Sequence, residues 1–182
     1  MRSAAARKQP EAAGQYDAAV ERRVEYLRSV SLFDEIAADH DALYYFASIM
    51  EDRAYEPGVD ILTEGSASSE MFILMTGTAS VFKKTPEGDA FRVAILKSEA
   101  HAFFGEGGLI HDEVKTATIT SDTACHCLVL SRKAFQDFGD RHPEWALPFY
   151  RRIAASVLTR LRKANDDMMV LYKALVSEIR GH

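Results

Sequence analysis

A chain of 182 residues, 47 % apolar and 27 % charged, has the make-up of an ordinary soluble globular protein with room for one real core plus helical appendages. Its net charge of −5 lacks the basic excess of a general nucleic-acid binder. The apolar run over residues 71–75, like every other in the chain, falls far short of the ~20 residues that span a bilayer, and the N-terminus has no apolar stretch of signal-peptide length. A cytoplasmic protein without a membrane segment is expected.

Residues 1–14, rich in alanine, charge and turn formers, are expected to be a disordered tail. Val20, Val24, Leu27 and Val30 then recur at spacings of four, three and three, one stripe of an amphipathic helix. A second helix is predicted from Leu43, Phe46, Ala47 and Met50 on one face, so residues 15–52 form an N-terminal helical segment. From Ala54 the period shifts. Strands are predicted over 59–62, 71–74, 78–82, 91–96, 116–120 and 125–130, separated by turn signals such as Pro57-Gly58, Glu64-Gly65-Ser66 and Pro86-Glu87-Gly88-Asp89. Short strands about ten residues apart with glycine turns read as an all-β sandwich or barrel over 53–131.

The helical period returns over 132–182. Pro143-Glu144 is suited to a first helical turn, whereas Pro148 predicts a kink or a second helix start. Beyond it Val157, Leu161, Ala164, Met168, Leu171 and Leu175 alternate spacings of four and three, a heptad seam. The helix outruns the ~20 Å that a small barrel covers, which favours a dimer seam over packing on its own barrel. Cys125 and Cys127 share one face of a strand and have no second pair or His cluster nearby, so they read as small core residues. His101 and His111 have no partners at metal-ligand spacing and read as loop histidines. The run Arg151, Arg152, Arg160, Arg162 and Lys163 reads as a solvated helix face, the sharper alternative being a face toward a phosphate-bearing ligand or an acidic partner.

The chemistry concentrates in Phe103-Phe104-Gly105-Glu106-Gly107-Gly108-Leu109-Ile110, followed closely by Lys115-Thr116-Ala117-Thr118. Glycines let a backbone approach a ligand closely, and a helix start offers N–H groups to an anion. Lys115 adds a point charge and Thr116 a hydroxyl. Glu106 fits beside an anion if the ligand also presents a sugar hydroxyl, and phosphate plus ribose is a nucleotide. An ordinary glycine-rich loop is the alternative.

This segment resembles the phosphate-binding cassette of cyclic-nucleotide-binding domains, as in the catabolite activator protein and the regulatory subunit of cAMP-dependent protein kinase. The likeness extends to Tyr55-x-Pro57-Gly58-x-x-Ile61-x-x-Glu64-Gly65, to Met71-Phe72-Ile73-x-x-x-Gly77-Thr78-Ala79-x-Val81, to the lead-in Leu27-x-x-Val30-x-Leu32-Phe33 and to His142-Pro143-Glu144. It implies a mainly β fold with flanking helices: a jelly-roll β-barrel with N-terminal helices and a long C-terminal helix. It further implies cAMP or cGMP as ligand, with Glu106 on the ribose 2′-hydroxyl and the N–H groups of Gly105, Gly107 and Gly108 facing the cyclic phosphate. Lys115 stands where the family usually has arginine, with Thr116 beside it, and Thr159 and Arg160 are the nearest candidates to cap the base. His101-Ala102 replaces the usual Gly-Asp or Gly-Glu, so one barrel loop is expected to differ.

No nucleophile–base pair, zinc-protease motif or phosphate loop is evident, and no enzyme is expected. The expected function is a cyclic-nucleotide sensor or regulatory adaptor, homodimeric through the C-terminal helix and signalling to an effector protein. Only about seven residues follow the last seam leucine, so no helix-turn-helix and no direct DNA binding are expected. A ligand-free dimerising scaffold and a cyclic-dinucleotide receptor are the alternatives.

Overall fold

The computed structural model describes residues 17–111 and 114–180; the expected tail over 1–14 lies outside them. Two short helices come first, α1 (Ala18–Leu27) and α2 (His40–Ser48), each capped by an aspartate. Asp17 accepts from the Ala19 N–H at 2.7 Å and Asp39 from the Ala42 N–H at 3.0 Å, serving donors that a helix start leaves unpaired. The predicted stripes point inward: Val24, Leu27 and Val30 on one side, and Leu43, Phe46, Ala47 and Met50 on the other, are all buried.

Among the described residues eight strands follow: β1 (Glu51–Tyr55), β2 (Asp60–Leu62), β3 (Glu70–Thr76), β4 (Thr78–Lys84), β5 (Ala90–Lys97), β6 (Phe103–Phe104), β7 (Thr118–Ser121) and β8 (Cys125–Ser131). They form two antiparallel four-stranded sheets, ordered β1-β8-β3-β6 and β2-β7-β4-β5, the jelly-roll architecture. The unbroken apolar run of β3 now has a cause. Its sheet is covered on both faces, so both alternating sets must be apolar. Phe72 and Leu74 face the interior between the sheets with Cys125, Cys127 and Val129, whereas Met71 and Ile73 face the helices with Leu128 and Leu130. Both cysteines are free and buried in that interior.

After β8 come α4 (Arg132–Arg141) and α5 (Pro143–Arg180), with a four-residue helix α3 (Gly107–Ile110) between β6 and β7. Phe46 of α2 is the hub that joins the N-terminal helices to the C-terminal ones: its ring lies 4.2 Å from Phe138, 4.9 Å from Phe149 and 5.2 Å from Phe33, centroid to centroid. The second helix start predicted at Pro148 does not occur; α5 is one helix of 38 residues, about 57 Å at ~1.5 Å per residue. Pro148 removes the bond to the carbonyl of Glu144, which is exposed, while buried Phe149 and Ile153 fasten the helix on the following turns. Past Arg160 the helix leaves the barrel. Leu161, Met168, Leu171 and Leu175 are 54–70 % exposed, so the seam beyond Val157 does not pack on its own domain.

Candidate functional site

β6 ends at Phe104, and the next residue is Gly105, whose φ of +78° lies in the left-handed region that side chains disfavour. A Cβ at Gly105 would also meet the Glu70 carbonyl oxygen at 2.8 Å, so both dihedral and space require glycine. The chain then turns through Glu106 into α3, where the Gly108 N–H donates to the Gly105 carbonyl at 2.9 Å and the Leu109 N–H to that of Glu106 at 3.0 Å. The Gly108 N–H, expected to face the phosphate, is therefore committed within the turn. Arg132, the first residue of α4, donates from Nε to the Gly108 carbonyl at 2.7 Å and from Nη2 to that of His111 at 2.6 Å. It ties the end of α3 to the start of the C-terminal helices.

A cavity of about 640 Å³ opens over this turn, floored by Phe104, Gly105, Glu106 and Gly107. Leu62, Val81, Ala94, Leu96 and Ile119 give it apolar walls, while Lys83, Lys115, Thr116 and Arg160 supply polar groups. Gly105, Glu106, Gly107, Lys115, Thr116 and Arg160 thus come together at one cavity. Gly108 sits behind it, against Lys115: a Cβ there would approach Nζ of Lys115 and the Ser68 carbonyl oxygen to 2.7 Å each. Nζ of Lys115 donates to the Gly105 carbonyl at 3.3 Å, and the side chain is buried. Thr116 is exposed at the rim.

Glu106 is buried, its side chain 7 % exposed, and its carboxylate oxygen Oε1 accepts from Nη1 of Arg160 on α5. The Arg160 guanidinium also lies 5.2 Å from the Phe103 ring centroid, the geometry of a cation–π contact. The expectation of a solvated basic face needs correction. Arg151 pairs with Glu35 at 3.7 Å, Arg152 with Asp34 at 2.6 Å, and Arg160 with Glu106, so three of the five cations clamp α5 to the domain. Arg162 and Lys163 are exposed. The hydroxyl of Thr159, the other base-capping candidate, donates to the Ala155 carbonyl at 2.9 Å.

His101, where the loop was expected to differ, follows a 3-10 turn over Ser98–Ala100 and holds a φ of +49°, with its ring 5.3 Å from that of Tyr26. The backbone keeps the left-handed bend that glycine adopts freely, now carried by a side chain that packs. Sequence reasoning did not single out Lys83, and it gave Phe103, at the start of the cassette segment, no partner. The alternation of Val81 and Lys83 along β4 carried a signal for Lys83, whereas the Phe103–Arg160 contact joins residues 57 positions apart and had none. Among the described residues no group of His, Cys, Asp or Glu side chains is arranged to hold a metal ion.

Comparison with known proteins agrees with this geometry. The family profile of the cyclic nucleotide-binding domain matches residues 52–142. The chain belongs to the cyclic nucleotide-binding domain family. It is 34 % identical over 111 residues, 60 % of its length, to cGMP-dependent protein kinase 2 of Homo sapiens, but spans only 14 % of that kinase. A cyclic nucleotide-binding domain from Methylobacillus flagellatus superposes with a TM-score of 0.71 at 23 % identity, covering 82 % of each chain. The regulatory domain of Toxoplasma gondii PKA with cAMP superposes at 0.62 and 21 % identity, covering 76 % of this chain and 50 % of that one. Such distant structural likeness establishes the fold alone. Among the described residues no helix is long and apolar enough to cross a membrane.

Proposed function

We propose that this domain is a cyclic-nucleotide sensor, not an enzyme, which takes cAMP or cGMP into the cavity over α3 and reads occupancy out through α5. One observation carries the proposal. The buried carboxylate of Glu106 lies at the cavity floor and is held by a residue of the helix that leaves the barrel. In this reading Oε2 of Glu106 accepts from the ribose 2′-hydroxyl while Arg160 holds Oε1. The phosphate lies against Gly105 and Gly107, with Lys115 giving it a compact charge and Thr116 a hydroxyl at the rim. Lysine lacks arginine's bidentate fork, which lowers affinity by about 10- to 150-fold, the equivalent of ~1.5–3 kcal/mol. The base extends toward Arg160 between the apolar walls of β4 and β5.

Output requires that the ligand favour one arrangement of α5 over another. The Glu106–Arg160 pair supplies such a dependence, because whatever moves the cassette moves the partner of Arg160. The exposed apolar seam of α5 supports a homodimer in which this helix also meets an effector protein. A ligand-free dimerising scaffold is the second reading, favoured by the engagement of Lys115 with the Gly105 carbonyl.

A thermal-shift panel with cAMP, cGMP and cyclic di-GMP separates these readings, since a ligand that binds only the folded state at 100 times its Kd stabilises by ~2.7 kcal/mol. A rise in Tm with a cyclic mononucleotide, reduced in Glu106→Ala, supports the sensor. A rise with cyclic di-GMP alone favours the dinucleotide receptor, and no rise with any of them favours the scaffold.

A further inference from the structure

A second cavity, of about 460 Å³, adjoins the nucleotide cavity. Leu96, Phe103 and Arg160 line both, so the Phe103 ring and the Arg160 guanidinium, 5.2 Å from its centroid, belong to the wall between them. Three other parts of the chain supply its polar lining: Ser29 and Ser31 after α1, His101 between β5 and β6, and Arg152 and Ser156 of α5. Arg152, Ser156 and Arg160 recur every four residues and so share one face of the helix. Among the described residues that line this cavity there is no carboxylate.

His101 is the one non-glycine residue with a positive φ among the described residues. Glycine adopts this bend freely, whereas a side chain is strained there, and strain of this kind is concentrated at ligand sites. What the strain secures is an imidazole in the cavity wall. Arg152 is held in a fixed plane, because Nε donates to the Ser31 carbonyl at 2.7 Å and Nη2 to Asp34 at 2.6 Å. No described residue takes the hydrogens of its Nη1. Asp34 is 52 % exposed, so giving it back to water costs little. Two guanidiniums, an imidazole and three serine hydroxyls, facing one space without an acid, match an oxyanion with several acceptor oxygens, and a guanidinium fork suits phosphate. With about 30 Å³ per water molecule, the cavity exceeds a bare phosphate and admits a small organic body beside it.

We propose that this cavity is a second ligand site, for a small phosphate-bearing anion, and that its occupancy weakens cyclic-nucleotide binding. An anion held by Arg152 and His101 attracts the Arg160 guanidinium away from Glu106. The buried carboxylate at the floor of the nucleotide cavity then lacks its cation, an unfavourable state for a group so enclosed. Nucleotide binding, which uses that carboxylate in place, is opposed. The site stands on its own lining, whereas the coupling rests on the sensor reading above.

The test uses the full chain at constant ionic strength, with inorganic phosphate, pyrophosphate and glycerol 3-phosphate as probes. In ¹H–¹⁵N spectra, saturable shifts are expected at Ser29–Ser31, His101 and residues 152–160. Tighter binding of glycerol 3-phosphate than of phosphate assigns the site to phosphate esters, and the reverse assigns it to free phosphate or pyrophosphate. His101→Gly, which relieves the strained backbone and keeps the fold, is expected to weaken the probe about fivefold or more. Ser156→Glu, which adds a carboxylate to the cavity, is expected to weaken it about tenfold or more. Saturating probe is expected to raise the Kd of cAMP or cGMP about fivefold or more, and the nucleotide to raise that of the probe by the same factor. This antagonism is expected to vanish in Ser156→Glu; antagonism that persists there means direct competition in the nucleotide cavity and overturns the inference. So do the absence of saturable shifts with all three probes, shifts confined to residues 105–116, and an unchanged nucleotide Kd at saturating probe. A chain that shows the expected probe shifts but binds neither nucleotide keeps the anion site and overturns the sensor reading with its coupling.

Discussion

Arg160, near the middle of the 38-residue helix α5, donates to the carboxylate of Glu106 at the floor of the candidate nucleotide cavity. The pair spans 54 residues of sequence and the boundary between barrel and helix, and the two side chains differ in exposure, 7 % for Glu106 and 52 % for Arg160. An ion pair with one half-exposed partner adds only about 1 kcal/mol or less to stability, so its value lies in the coupling it provides. Arg160→Ala is expected to keep the fold and still admit nucleotide. Ligand-induced protection from hydrogen exchange over residues 155–165 is expected to disappear in this variant. Protection that persists as in the unaltered chain would show that α5 senses the cassette by another route.

Gly108 and Lys115 form a second coupled pair, one of space. A Cβ on Gly108 would crowd the Lys115 ammonium and the backbone oxygen of Ser68 at 2.7 Å each, and the latter cannot swing aside. Gly108→Ala is therefore expected to lower Tm and weaken nucleotide binding together. Lys115→Arg is expected to tighten binding about tenfold or more by supplying two parallel donors to the phosphate. Calorimetric titration of both variants checks this, and Lys115→Arg with unchanged affinity would mean that the phosphate does not meet this side chain.

The N-terminal and C-terminal helices are held together through Phe46, against which Phe33, Phe135, Phe138 and Phe149 all pack. Phe46→Ala leaves a cavity at that hub and is expected to cost about 3–5 kcal/mol, read from urea unfolding. A loss below 1 kcal/mol would show that the helices contribute little to the cooperative core.

Burial, with a smaller contribution from Cys125, pushes the Cys127 thiol up to about 12. The folded state thus holds this proton at pH values where the unfolded chain has released it, so the linked stability is present at neutral pH. It declines from the ordinary thiol value up to about pH 12. Stability measured by urea titration is expected to fall over that window, and to fall less in Cys127→Ala. Neither cysteine is expected to react with a thiol reagent at pH 8 until the protein unfolds. Prompt labelling of the native protein would contradict the buried placement.

Much of this architecture was legible in the sequence because it is written in local periodicity. The stripes of α1 and α2, six of the eight strands and the seam of α5 all follow from the spacing of apolar residues. β1 was mostly missed, since Glu51-Asp52-Arg53 is polar and owes its strand conformation to pairing with β8, more than seventy residues away. Pro148 misled for a similar reason: the local rule for proline was outweighed by the packing of Phe149 and Ile153. At the site, the glycines and Glu106 stood out by composition. The pairing of Arg160 with Glu106, and of Arg151 and Arg152 with Glu35 and Asp34, joins residues whose proximity only the tertiary fold creates.

The central claim is that a cyclic nucleotide occupies the cavity over α3 and is held by Glu106. Its most direct test is calorimetric titration of the full chain with cAMP and with cGMP, set beside Glu106→Ala under identical conditions. Saturable binding of one of them is predicted, weakened about 10- to 150-fold in the variant, as expected for loss of a hydrogen bond to a charged group. Binding unaffected by Glu106→Ala, or no heat with either nucleotide, would contradict the account.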